Sequence, residues 1–305
     1  KAKYRIKNWA KYNAGLIARG DVTMWIDEEM RTAPAAQTSK RGRPLVYSDA
    51  LIQGLLGLKQ VLRLPLRALQ GFAGSLRKLA FPDLPVPYYT TLSRRAQTLK
   101  VVLPMQHPNE PLHLVIDSTG LKVYGEGEWK VRKHGWSKRR TWRKIHLAMD
   151  ANTGQVCAAL MTHQDVGDAQ VLPDLLDQIP ADVPIETVGG DGAYDTKSCH
   201  AQIDARGATA SIPPRAWTGK APASSADRHS QRSDAIANST RREWKLASRY
   251  HRRSLAETLM YRLKVLTGSS LWGRTVGSQA TEVSIRVGIL NCMAALARPQ
   301  SVRIA

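Results

Sequence analysis

Three carboxylates and one spaced quartet are the residues of this chain best suited to chemistry. Asp117 closes the apolar run "LHLVID" and Asp191 closes "IETVGGD", each where a strand is expected to leave a sheet. Side chains at such strand ends point into the crevice where α/β sheets usually do their work, although a single strand-end Asp also serves as an ordinary turn or cap residue. Glu257 lies in "SRYHRRSLAETLMYRLK", where Tyr250, Arg253, Glu257 and Lys264 follow at steps of three, four and seven. On an α-helix those steps place all four within roughly a 60° sector. Leu255, Leu259, Leu263 and Leu266 fall opposite, so the segment is predicted to be an amphipathic helix with one polar face. Taken alone, that face also reads as a solvated stripe with an i,i+4 Arg253–Glu257 pair in its less favourable orientation.

The rest of the chain shifts the balance. Its 305 residues carry 45 Lys and Arg against 25 Asp and Glu, a net charge of +20. A field of that sign suits a long polyanion, and nucleic acid is the first partner to consider, double-stranded DNA among its forms. A basic chain has little reason to gather carboxylates unless a cation sits among them. Mg²⁺, with Mn²⁺ as a substitute, takes oxygen ligands, and a carboxylate pair or triad can hold two such ions about 4 Å apart. One ion activates an attacking oxygen and the other stabilises the leaving oxygen in an in-line displacement at phosphorus. That is phosphodiester chemistry. No glycine-rich phosphate loop points to nucleotide hydrolysis. No signal peptide or apolar run of about 18 residues points to a membrane. Cys157, Cys199 and Cys292 lie far apart and form no C-x-x-C pair, which disfavours structural zinc and a disulfide framework and fits a reducing cytoplasm.

These residues need a scaffold to hold them, and the pattern predicts two regions. Residues 1 to 46 are basic, and "TAPAAQTSKRGRP" reads as a linker or a phosphate-tracking arm. Ser48 is placed to cap "DALIQGLLGLKQVL", Pro65 to open "LRALQGFAGSLRKL" and Thr90 to cap "TLSRRAQTLKVVL". The last would present Arg94 and Arg95 like a recognition helix, but "AFPDLPVPYY" is too long for a tight helix-turn-helix, and a plain helical bundle fits as well. After the Pro104, Pro108 and Pro111 boundary come strand signals in "LHLVIDS", "EWKVRKHG", "WRKIHLAMD" and "QVCAALMTH". A helix "DAQVLPDLLDQI", a strand ending at "GGDG", a helix capped by Asp195 or Thr196 and a strand "ATASIPP" follow. This order predicts a mixed α/β sheet with flanking helices. Residues 213–240 read as a basic loop, and "SQATEVSIRVGILNCMAALAR" as a packing helix without chemistry.

"LVIDSTGLKVYG", "GGDGAYDT" and Tyr250-x2-Arg253-x3-Glu257-x6-Lys264 together resemble the three catalytic blocks of the DDE transposases of bacterial insertion sequences, in the insertion sequence four and five group. With "WKVRKHGWSKRRTWRKIHLAMD" and "RIKNWAKYNAGLIARGDVTMW" the similarity covers nearly the whole chain. The resemblance implies a ribonuclease H-like fold in residues 106–305 and Asp117, Asp191 and Glu257 as metal ligands. It also implies a helical region, residues 1–105, that binds the element's terminal inverted repeats, and a homodimer or higher multimer that holds two DNA ends. "GGDGAYD" offers Asp191 and Asp195, of which Asp191 matches the catalytic position. Tyr250, Arg253 and Lys264 would touch phosphates of the element's end, and Arg253 can equally orient Glu257.

Lys130, Arg132, Lys133, Lys138, Arg139, Arg140, Arg143 and Lys144, interleaved with Trp129, Trp136 and Trp142, suit a DNA-tracking surface or a hairpin with a solvated edge. Trp217 can stack on an unpaired base or simply anchor its loop. The expected activity is metal-dependent cutting at transposon ends, followed by joining of the 3′-hydroxyl to target DNA. A stand-alone nuclease of the same fold and a transposase-derived DNA-binding protein are the alternatives.

Overall fold

Alternation along one strand organises the sheet. Leu112, Leu114 and Ile116 face one side of it, while His113, Val115 and Asp117 face the other. The computed structural model describes residues 3–32, 46–101, 103, 110–123, 142–214 and 241–304. In chain order these form β1 (Lys3–Ile6), α1 (Trp9–Ala18), α2 (Glu28–Arg31), α3 (Asp49–Val61), α4 (Leu66–Leu79), α5 (Tyr89–Arg95), β2 (Leu112–Val123), β3 (Trp142–Asp150) and β4 (Val156–His163). Then come α6 (Asp168–Leu176), β5 (Ile185–Gly189), α7 (Lys197–Ala205), β6 (Thr209–Ser211), α8 (Arg241–Ala247), α9 (Ser254–Thr267), α10 (Val276–Leu296) and β7 (Ser301–Ile304). Among the described residues no helix is long and apolar enough to cross a membrane.

Two compact units are present, one of residues 105–264 and one of residues 1–104 with 265–305. The first is the mixed α/β sheet with flanking helices expected of a ribonuclease H-like fold. Its strands run in the order β4-β3-β2-β5-β6; β4, β3 and β2 pair antiparallel, and β5 and β6 join them in parallel. Val171, Leu172, Leu175 and Leu176 of α6, with Cys199 and Ile203 of α7, cover one face. On the other face Val115 and Ala151 meet Ala256 and Leu255 of α9.

The second unit is helical and is closed by α10. Leu51, Ile52, Leu55 and Leu58 of α3, Leu69, Ala73 and Leu76 of α4 and Leu92 of α5 share one core with Ile285, Ile289 and Met293. Gly15 of α1 allows a close approach here, since a Cβ at that position would lie 2.4 Å from the Cβ of Ala297. β1 and β7 pair as an antiparallel ribbon.

Local signals were read correctly at Ser48, whose hydroxyl accepts from the Leu51 N–H at 3.1 Å. They failed at Thr90: α5 starts at Tyr89 and ends at Arg95, because Gln70 of α4 caps it by accepting from the Tyr89 N–H at 2.9 Å. The segment "EWKVRKHG" and the arm around Lys40 lie outside the described residues, as does most of the basic loop at 213–240.

Candidate active site

β2 and β5 run parallel, with His113, Leu114 and Val115 in register with Thr187, Val188 and Gly189. Asp117 and Asp191 each stand two residues past the last of these pairs, so register alone carries both carboxylates to the same end of neighbouring strands. Asp191 has left β5 there, as expected. Asp117 has not left β2, which continues to Val123 because β3 goes on pairing with it after β5 has ended. One oxygen of each carboxylate is fixed by backbone: Asp117 accepts from the Ser118 N–H and Asp191 from the Ala193 N–H, both at 2.9 Å. Asp195, the other aspartate of "GGDGAYD", pairs instead with His200 Nε2 at 3.1 Å, and Thr196 is the residue that caps α7.

The third block departs from one continuous helix. Arg249 takes a left-handed backbone, φ 53°, and Tyr250–Arg253 form a 3₁₀ turn before α9 begins at Ser254. The quartet therefore spans a 3₁₀ turn and an α-helix and not one continuous helix; because residues i and i+3 eclipse in a 3₁₀ turn, Tyr250 and Arg253 keep a common side. Tyr250 packs on Trp244, ring centroids 5.4 Å apart. Arg253 still meets Glu257: its Nη2 lies 2.6 Å from Glu257 Oε1, and its Nη1 lies 3.8 Å from Asp117 Oδ2. The leucine face is present, with Leu259 and Leu263 buried. Lys264 stands half-buried two turns beyond Glu257.

Burial pushes the Asp117 carboxyl above its ordinary pKa; the Ser118 N–H and the Arg253 charge oppose this, and the charges of Asp191 and Glu257 add to it. The three carboxylates thus share one electrostatic field. Oxygen donors that repel one another in a partly dry site suit a hard divalent cation. They are not closed around one, however. Among the described residues no three of His, Cys, Asp and Glu stand close enough to hold a metal ion together. The Glu257 carboxylate is turned to Arg253.

At this point the comparison with known families is decisive. A family model described as the transposase DDE domain matches residues 108–292, more than half of the chain, and a second model of the same description matches residues 17–126. The chain belongs to the DDE transposases. Members of this family act on DNA with divalent ions, and Asp117, Asp191 and Glu257 fall inside the longer match.

For a DDE transposase the remaining candidate residues divide. Arg95 is committed within its own unit: it forms an ion pair with Asp49 and donates to the Tyr47 carbonyl at 3.2 Å, whereas Arg94 is exposed. Arg143 lies half-buried on β3. Lys130, Arg132, Lys133, Lys138, Arg139, Arg140 and Trp217 lie outside the described residues. On the α9 side of the sheet a cleft of about 270 Å³ is lined by Thr187, Ser211, Arg249, Tyr250, Arg252 and Arg253.

Sequence reasoning missed the polar group on the opposite face. Asp168 Oδ1 lies 2.8 Å from Lys144 Nζ and 3.3 Å from His146 Nδ1, while His146 Nε2 meets the Thr162 hydroxyl at 2.9 Å. Burial opposes ionisation of Asp168, but bonds from His146, Lys144 and Ser118 outweigh it and hold the carboxyl far below the usual range. Tyr194 is buried beside them, its ring filling the space over Gly190. Burial raises its phenol, and the charges of Asp168, Asp117 and Asp191 raise it further. Only the cross-strand register of β2 on β3 brings Ser118 opposite His146, and no local spacing encodes that.

Proposed function

We propose that this DDE transposase belongs to the insertion sequence four and five group and cuts and joins DNA at the ends of its element. Residues 1–105 bind the terminal inverted repeats, and residues 106–305 hold the chemistry. Asp117, Asp191 and Glu257 hold two Mg²⁺ ions, for which Mn²⁺ substitutes. When bound, those ions supply an activated attacking oxygen and a stabilised leaving oxygen. Water forms the new bond to the scissile phosphorus, the bond from phosphorus to the 3′-oxygen breaks, and that oxygen leaves as a 3′-hydroxyl. The hydroxyl then attacks a target phosphorus in the same site and displaces a target 3′-oxygen. Arg253 and Lys264 hold phosphates of the end, Arg253 by its two-pronged guanidinium and Lys264 as a point charge. Two or more copies hold paired ends, in the cytoplasm and on the nucleoid.

The observation that carries this reading is the register of β2 on β5, which sets Asp117 beside Asp191 in a chain whose family match spans both. The test is strand transfer. A pre-cut end duplex, incubated with plasmid and Mg²⁺, is expected to become covalently joined to the plasmid. Hydrolysis without joining would leave only a nuclease, and binding without either would leave only a DNA-binding protein.

A further inference from the structure

We propose that Arg253 is a tethered cation that competes with divalent ions for Glu257 and Asp117, and that a DNA phosphate in the adjacent cleft relieves the competition. This rests on the metal-binding reading of the three carboxylates. The guanidinium spans two of them, 2.6 Å from Glu257 Oε1 and 3.8 Å from Asp117 Oδ2. It is always protonated; its N–H occupies a Glu257 lone pair that a metal ion would need, while at 3.8 Å its charge offsets that of Asp117 without a hydrogen bond. Asp117 and Asp191 are each fixed by a backbone N–H, so the parts free to move are Arg253 and Glu257. The Glu257 side chain is 58% exposed, and among the described residues its carboxylate bonds to Arg253. That bond ties the present direction of the carboxylate to the guanidinium.

The same arginine also lines the cleft with Arg249, Tyr250 and Arg252. Arg252 is drawn aside by a bond to the Asn152 side-chain oxygen, which leaves Arg253 as the residue shared by cleft and carboxylates. A phosphate in the cleft offers paired anionic oxygens that match the guanidinium fork. Phosphate and divalent ion then both favour the state in which Arg253 has turned from Glu257. By linkage each must tighten the other's binding by the same factor. Metal loading is thereby restrained until a DNA phosphate occupies the cleft.

The test measures Mn²⁺ binding by titration calorimetry, with and without a saturating pre-cut end duplex. Wild-type protein is expected to bind Mn²⁺ about tenfold more tightly with the duplex than without. Arg253→Gln is expected to bind tightly in both conditions, and Arg253→Lys to fall between. Equal Mn²⁺ affinity of DNA-free Arg253→Gln and wild type would overturn the competition, and so would the same tightening by DNA in both proteins. Asp117→Asn separates this from the underlying reading. If it retains wild-type Mn²⁺ binding, the ions sit elsewhere and both claims fall; if it loses binding while Arg253→Gln matches wild type, only the competition falls.

Discussion

Two arginine–glutamate pairs in this protein share a spacing and a length. Arg253–Glu257 and Glu282–Arg286 are both four residues apart and both close at 2.6 Å. Their surroundings differ. Arg286 is fully buried in the helical unit, donating to the Gly268 carbonyl at 2.9 Å and the Ser270 carbonyl at 2.6 Å, while Glu282 accepts from the Trp272 and Gly273 N–H groups. That pair is a pin for the turn before α10, satisfied almost entirely within the protein. Arg253–Glu257 is partly exposed, has no such backbone partners among the described residues and leans toward a third charge, Asp117. Equal bond lengths thus conceal opposite roles. A pair closed on all sides fixes structure, and a pair left open is available for exchange with a cation or a phosphate.

The comparison is broken most directly by Arg286→Met. Removing one partner strands the buried Glu282 charge and should cost about 3–5 kcal/mol in urea unfolding; a loss below about 1 kcal/mol would mean that the pin is dispensable. Next come Asp117→Asn, Asp191→Asn and Glu257→Gln. Each is expected to reduce cutting of labelled end DNA in Mg²⁺ by roughly a hundredfold or more, while DNA binding in Ca²⁺ persists. Asp117→Asn carries a second sign. Its folded pKa is raised, so the ionised carboxyl destabilises the metal-free fold, by a penalty absent below the ordinary Asp range and present once pH exceeds the raised value. In EDTA at pH 7 this variant should therefore melt above wild type, and the gain should vanish on acidification.

Smaller effects sharpen the contrast further. Arg253→Ala should shift stability by less than about 1 kcal/mol, as for other exposed pairs, yet impair joining; Lys264→Ala should do likewise. A large loss of stability with normal joining would place these residues with the structural pair. Asp195→Asn should have the smallest effect on cutting, because an amide oxygen can still accept from His200, and Thr196 does the capping. Loss of cutting there with retention in Asp191→Asn would exchange the roles of the two aspartates.

What could be read from the sequence followed the range of the physics involved. β3, β4 and β6 appear where apolar and β-branched runs place them, and Ser48 caps where its type predicts. Asp191 is legible as a strand-end carboxylate, whereas Asp117 lies within β2, which β3 extends to Val123, and the adjacency of the two depends on parallel register, a long-range property. The spacing from Tyr250 to Lys264 predicts one helix, whereas the left-handed Arg249 and the 3₁₀ turn after it delay α9 to Ser254, with no glycine to announce the break. α10 was read as plain packing because helical spacing cannot tell a buried Glu282–Arg286 pair from a solvated one. Asp168 looked like part of a helix start. Its partners Lys144 and His146 are supplied by another strand.

The discontinuity of the helical unit has a consequence during synthesis. The sheet unit is a single stretch, residues 105–264, and its core can form as soon as that stretch is available. The core of the helical unit cannot. Leu51, Ile52, Leu55 and Leu69 are made well before Ile285, Ile289 and Met293, which complete their core. At ordinary elongation rates the apolar faces of α3 and α4 wait on the order of tens of seconds for α10. A ribosome that stalls before Val276 therefore holds a sheet unit able to fold beside an open helical half, the part of this chain most exposed to chaperones, proteases and aggregation.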